Sequence, residues 1–178
     1  MTSALATMVP LDHIQPALVD DLLDRAFGPG RCERTAYRIR EGSEWLPALS
    51  FALLQGEGRL IGSIQTWPVA LTDAAASRTH PLLMVGPVAV HPDEQDKGHG
   101  RALMAALIQA LEEPDASGEP YPPQILIGDP EYYGRFGFTA EHTGAWLVPG
   151  PYERHRLLAR AAQGAALPRE GTLGPWPG

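Results

Sequence analysis

The most chemically suggestive segment is Gln95-Asp96-Lys97-Gly98-His99-Gly100, set between an apolar run ending in Val88-Ala89-Val90 and the helical pattern Arg101–Glu112. Backbone N–H groups at a helix start have no intrahelical acceptor and carry the positive end of the helix dipole, so such a junction can hold a phosphate. Gly98 and Gly100 would present no Cβ to it, and Lys97 and Arg101 place two positive charges within five residues. Glycine spacing alone fits equally well a helix that merely begins with glycines. Other glycine-loop chemistries fail on particular residues. No GxxxxGK[ST] run exists, the third glycine of a GxGxxG would fall on Leu103, and no GxSxG elbow is present.

The elements that must position this loop are legible on either side of it. Leu82–Val90 is a continuous apolar run suited to a strand buried on both faces, interrupted by Gly86-Pro87, which implies a bulge or a parting from a neighbouring strand. In Arg101–Glu112, Leu103, Leu107 and Leu111 recur every four residues beside Ala102, Ala106 and Ala110, predicting the strongest helix of the chain. Gln124–Ile127 reads as a short strand, and Gly128-Asp129-Pro130 turns into the aromatic segment Glu131–Phe138. Upstream, Pro16–Phe27 predicts an amphipathic helix with Leu18, Leu22 and Leu23 on its apolar face, and a weaker helix is expected over 33–41. Ala48–Gln55 and Arg59–Val69 predict a hairpin through Gly56-Glu57-Gly58, and 72–80 reads as a loop. The tail predicts one or two strands through Trp146-Leu147-Val148, a short helix near 153–162 and a Gly/Pro-rich end.

With 178 residues, no internal repeat and no linker, the chain is expected to form one domain, 1–178, with a core over about 82–138 and an extension over 139–178. Its 21 acids against 14 bases give a net charge of −7, which argues against a nucleic-acid polymer or an anionic membrane as partner. Apolar residues at 44% suffice for a core, while 19 Gly and 18 Pro fall short of the low-complexity range of roughly 25–30%. Cys32, the single cysteine, reads as a spectator thiol, and neither CxxC nor HExxH suggests a metal. Without a signal-like N-terminus or a membrane-length apolar run, a cytoplasmic location is expected.

The order strand, Gln95-x-x-Gly98-x-Gly100, helix, strand, Tyr133-x-x-x-Gly137-Phe138 resembles the GCN5-related N-acetyltransferase (GNAT) superfamily, and Gly128–Phe138 is similar to its YhbS-like subgroup of predicted acetyltransferases. The resemblance covers roughly residues 82–138 and is topological elsewhere. It implies an α/β fold with a mixed, mostly antiparallel twisted sheet of six or seven strands, parted between 82–90 and 124–127, and about four helices. It also implies acetyl-CoA as acyl donor. The backbone of Val88, Ala89 and Val90 would pair with the pantetheine arm, and Gln95, Asp96, Lys97, Gly98, His99, Gly100 and Arg101 would cradle the pyrophosphate. Tyr133 corresponds to the family tyrosine near the CoA sulfur. A phenol with an ordinary pKa of about 10 can protonate a leaving thiolate while staying protonated at neutral pH. A backbone N–H near Val88 could polarise the thioester carbonyl.

The implied activity is direct acyl transfer to a primary amine of a small molecule or peptide. The alternative is an idle acyl-CoA-binding sensor, which would need the loop but no general acid. The acceptor should be set by the N-terminal helices, 72–80 and the segment after Phe138; a homodimer is left open. The sequence departs from the family at His99, where an aliphatic residue is common, and at Asp129, where many members have Asn. No acid lies on Leu82–Val90 to act as general base, leaving Glu41, Glu44, His80 and His91 as candidates by residue type alone.

Overall fold

A computed structural model describes residues 4–162 and 164–178. The described residues form two compact units: 4–31 with 45–66 and 86–120, and 32–44 with 67–85, 121–162 and 164–178.

The first unit contains β1 (Ala6–Pro10), α1 (Pro16–Phe27), β2 (Phe51–Gln55), part of β3 (Arg59–Asp73), part of β4 (Arg78–Val90) and α3 (His99–Glu112); α2 (Thr35–Ile39) belongs to the second. Pro16 opens α1, and Gly28, at φ +86°, closes it with its N–H on the Asp24 carbonyl at 2.8 Å. The buried face is Val19, Leu22 and Leu23, packed with Leu11, Ala52 and Ala89. Leu18, expected on that face, is 52% exposed, because the apolar stripe is centred one residue further on. Arg31 closes the unit's helical corner with Nε on Asp24 at 2.8 Å and Nη2 on Asp20 at 3.1 Å.

β1 pairs with β2, and β2 with β3, both antiparallel, with a bulge between Leu53 and Leu54. α3 rests on this layer through buried Leu103, Met104 and Leu107. A Cβ on Gly62 of β3 would lie 3.1 Å from Leu103 Cδ1 and 3.3 Å from the Ala89 carbonyl, so the glycine permits the close approach of helix and strand.

The second unit holds the outer half of β3, the first half of β4, β5 (Gln124–Ile127), α4 (Pro130–Tyr133), β6 (Ala145–Leu147), β7 (Leu157–Arg160) and β8 (Glu170–Pro175). Its core gathers Ile39, Val69, Leu71, Leu82, Met84, Ile125, Trp146, Leu157 and Leu173. The strands of the chain follow the order β1-β2-β3-β4-β5-β7, with β8 pairing both β3 and β6. The sheet is mixed: β5 runs parallel to β4 and antiparallel to β7. The β4–β5 ladder has only two pairs, Leu83–Gln124 and Met84–Ile125, and stops before Gly86, where the sequence predicts a parting.

Three expectations are corrected. The helix expected near 153–162 is a single tight turn, Arg154–Arg156, followed by β7. Leu157, Leu158 and Ala159 are buried in succession and pair with Leu126, Ile125 and their neighbours, a demand that overrides helix propensity. The expected loop 72–80 supplies strand ends on both sides of a short turn in which Asp73 Oδ1 accepts from the Ala76 N–H at 3.1 Å. The Gly/Pro-rich end contains β8, whose Leu173 is 1% exposed. With β1 also unforeseen, the described strands number eight, one above the expected range.

Candidate functional site

The phosphate-loop candidate lies wholly in the first unit. Asp96 and Gly98 adopt positive φ, +63° and +84°, and Gly98 caps α3. The first turn of α3 closes with the Ala102 N–H on the Gly98 carbonyl at 3.1 Å, so the amides of His99, Gly100 and Arg101 precede the intrahelical ladder. A Cβ built on Gly98 meets nothing within 4 Å, leaving the backbone open on that side. Gln95, Asp96, Lys97, Gly98 and Arg101 are exposed, His99 and Gly100 partly buried. Val88 and Val90 are partly exposed on β4, while Ala89 points into the core.

Two side chains expected to face a phosphate turn elsewhere. Lys97 Nζ donates to Glu94 Oε2 at 3.0 Å, and His99 Nε2, buried and without a hydrogen-bond partner, lies 3.7 Å from the same oxygen. Arg59 Nη1 donates to Glu94 Oε1 at 3.2 Å, and its Nη2 is 3.4 Å from His91 Nδ1, which accepts the Asp93 N–H at 3.2 Å. Glu94 is only 7% exposed, and it ties β3, the turn after β4 and the start of α3 together. The hydrogen bond from Lys97 holds its carboxyl below the usual carboxylate range, against the opposing effect of burial. Glu94 and Arg59 were not identifiable as loop braces from sequence: Glu94 sits at helical spacing from Lys97, but Arg59 is 35 positions away.

Because the folded carboxyl titrates below its unfolded value, its contribution to stability is fully present above the ordinary Glu pKa of about 4.3 and is lost as pH falls through the depressed folded value. Glu94→Gln is therefore expected to flatten the acid limb of stability while lowering stability at neutral pH. Urea midpoints from pH 7 to pH 3 check this; parallel curves for both proteins would contradict it.

Tyr133 lies in the second unit, at the end of α4. Asp129 caps this helix by accepting the Glu131 N–H at 3.0 Å, and its carbonyl accepts the Tyr133 N–H at 2.9 Å. The Tyr133 ring meets Tyr132 edge-on, with centroids 4.9 Å apart, and Phe138 at 6.4 Å. Phe138 is core at 1% exposure, whereas Phe136 is only partly buried. Gly128 completes the seat: a Cβ there would fall 2.4 Å from Tyr133 Cε2, so only glycine lets the ring lie against the end of β5. Burial pushes the phenol up to about 12, aided by neighbouring Tyr132 and opposed by the charge of Arg156.

The base candidates have other surroundings. Glu41 and Glu44 are exposed, His80 is partly buried on β4, and His91 belongs to the Glu94 brace. Among the described residues no group of three His, Cys, Asp or Glu could hold a metal ion, and no helix is long and apolar enough to cross a membrane.

Comparison with known proteins gives consistent results. The family described as "Acetyltransferase (GNAT) family" matches residues 17–118. The Escherichia coli (strain K12) protein named "Uncharacterized N-acetyltransferase YhbS" is 28% identical over 151 residues, covering 82% of this chain and 84% of that protein. The crystal structure of the GNAT family N-acetyltransferase YhbS from Escherichia coli, in complex with CoA, superposes with a TM-score of 0.66 at 22% identity over 98% of this chain and 90% of that one. A GNAT family acetyltransferase from Brucella melitensis, in complex with acetyl-CoA, gives 0.58 at 22% identity over 94% of each chain. At these identities the structural likeness speaks to the fold.

Proposed function

The chain belongs to the acetyltransferase (GNAT) family and is an acyltransferase, and from that premise we propose that it moves an acyl group from acetyl-CoA directly to a primary amine of a small molecule or peptide. The observation that carries the reading is the loop from Gln95 to Arg101. Its backbone is open at Gly98, it takes positive φ twice, and it leads into the free amides of α3, which suits a pyrophosphate in a protein of net charge −7.

When bound, acetyl-CoA supplies a thioester carbonyl activated for attack and a sulfur able to leave. The amides of His99, Gly100 and Arg101 are the candidates for the phosphate oxygens, with Arg101 an exposed cation in the first turn of α3. Lys97 acts indirectly, by holding Glu94 and so the shape of the turn. Gln95 Nε2 donates to the Val90 carbonyl at 3.4 Å and anchors the loop to β4. Val88, Ala89 and Val90 would offer backbone groups to the amides of the pantetheine arm; β5 provides no ladder partner beyond Met84. A backbone N–H near Val88 would polarise the carbonyl. Tyr133, held protonated by burial, would donate its O–H to the negative charge that develops on sulfur.

Two measurements test this. Titration calorimetry with acetyl-CoA and with desulfo-CoA is expected to show binding of both, and absence of heat at millimolar ligand would sink the assignment of the loop. A panel of primary amines, followed by release of free CoA thiol, is expected to reveal at least one acceptor whose turnover depends on both substrates.

A further inference from the structure

One buried atom of the first unit has no part in the roles described so far. His99 Nε2, at the first position of α3, makes no hydrogen bond, although Glu94 Oε2 lies 3.7 Å away. We propose that His99 is a positioning residue for the acyl donor: it takes up a proton when the pyrophosphate of acetyl-CoA binds at the start of α3, and then donates from Nε2 to Glu94. The inference rests on the assignment of the loop to the donor above.

The helix puts the ring where it is. His99 stands four residues before Leu103, which is buried beside Gly62 of β3, so both side chains lie on the face of α3 turned to the sheet. The His99 side chain is accordingly only 15% exposed, and that of Glu94 9%. A neutral imidazole satisfies neither group. With a lone pair on Nε2 it is repelled by the carboxylate oxygen, and with an N–H there it is too far away for a hydrogen bond. An imidazolium removes the conflict, since a small approach gives a charge-assisted bond to an oxygen that already carries negative charge.

The surrounding charges explain why that proton waits for the donor. β3 contributes Arg59, the end of β4 His91, the turn after it Asp93 and Glu94, the loop Asp96 and Lys97, and α3 itself Arg101. From α1, Arg25 is held by Asp21 at 2.7 Å and interacts electrostatically with Asp93. β2, which packs on α3 as well, has no titratable side chain. Arg59, Lys97 and Arg101 therefore balance Asp93, Glu94 and Asp96 while both imidazoles are neutral. His91 Nδ1 accepts the Asp93 N–H at 3.2 Å, so the proton finds its place on His99 instead. Glu94 favours it there; the positive end of α3 and Lys97, 3.0 Å from the same oxygen, oppose it. A pyrophosphate on the amides of His99, Gly100 and Arg101 neutralises that end and turns the balance. Glu94, held below the usual carboxylate range, stays charged across roughly pH 5–8, where imidazoles change charge. Because the complex holds more protons than the separate partners, donor affinity declines as pH rises through that interval and levels off above it.

Titration calorimetry with 3′-dephospho-CoA tests this. That nucleotide keeps the pyrophosphate but lacks the phosphate monoester, whose second ionisation at about 6 would itself exchange protons. Heats measured in two buffers of different ionisation enthalpy are expected to report uptake of a fraction of one proton, and affinity to fall about 5-fold or more across the imidazole range, the low end of coupling between linked sites. His99→Leu and His99→Gln, neither of which titrates, are expected to bind without proton uptake and with an affinity indifferent to pH. The Gln variant, whose amide can donate to Glu94 at every pH, should bind the tighter of the two; a Gln variant no tighter than the Leu variant would overturn the bond to Glu94. Binding by the unaltered protein without proton uptake would overturn the inference while leaving the loop as the phosphate cradle. Uptake undiminished in both variants would assign the proton to another group and overturn it equally. Failure of both dephospho-CoA and acetyl-CoA to bind would sink the loop assignment and this inference with it.

Discussion

Replacing Tyr133 by Phe is expected to lower turnover roughly 10- to 10⁴-fold with little change in acetyl-CoA affinity, the span of general-acid effects extended downward for rescue by water. The phenol is pushed up to about 12 by burial, so it remains protonated at any pH at which the enzyme would be assayed. The same value limits what it can do. Complete transfer of its proton to a sulfur of ordinary thiol basicity, pKa about 8.5, would run uphill by several powers of ten, so its main contribution is a hydrogen bond that strengthens as negative charge gathers on the sulfur. The rates of Tyr133→Phe and of the unaltered protein should therefore have pH profiles of the same shape. An alkaline decline near pH 9 that disappears in the variant would show that Tyr133 ionises far below its buried value and would remove this account. Equal turnover of the two proteins would remove Tyr133 from the chemistry, and a chain that binds acyl-CoA only as a sensor would release no thiol in either form.

Gly128→Ala should act on the same ring from beneath. The added methyl would lie 2.4 Å from Cε2 and 2.7 Å from Cδ2 of Tyr133 and 3.0 Å from Leu126 Cδ1, so the ring or the strand end must shift. Misplacing a reacting group by about 1 Å can cost roughly 10²-fold in rate, and that is the expected fall in kcat. Forcing a methyl into a filled space should also lower stability by about 1–3 kcal/mol, read from urea unfolding. The double variant separates causes. If Gly128 serves catalysis by seating the phenol, Gly128→Ala in a Tyr133→Phe background should reduce the rate little further, because the group being misplaced is already gone. Fully additive losses would assign its effect to the hydrogen bonds it shares with Arg156 instead.

The parts of the fold governed by local pattern were legible. Pro16 and Gly28 bound α1 where their backbone preferences require, and the leucine and alanine strips of α3 announce a helix that needs no distant partner. The loop before α3 was legible for the same reason, since glycines at a helix start carry their meaning in sequence. What failed was set by partners far along the chain. Leu157-Leu158-Ala159-Arg160 has ordinary helical composition, and only the unfilled edge of β5 makes it a strand. Lys97 reads as a phosphate ligand from its place beside Arg101 at a helix start; Glu94, buried and joined to Arg59, decides where its side chain goes. Arg156 carried no signal at all, because its relevance depends on Gly128, 28 positions earlier.

β8 has a kinetic consequence. Val69–Thr72 of β3 finds its β8 partner in Thr172–Pro175, about a hundred residues later, and Leu173 completes the core around Trp146. Closing so long a loop must be paid in chain entropy before the pairing returns anything, so consolidation of the second unit should be slow compared with formation of α1 or of the β2–β3 hairpin. Until it happens, one edge of β3 presents unpaired backbone beside apolar Val69, Ala70 and Leu71, the kind of surface through which two incompletely folded copies can join. The yield of refolding should accordingly fall with protein concentration more steeply than the stability of the finished protein would suggest.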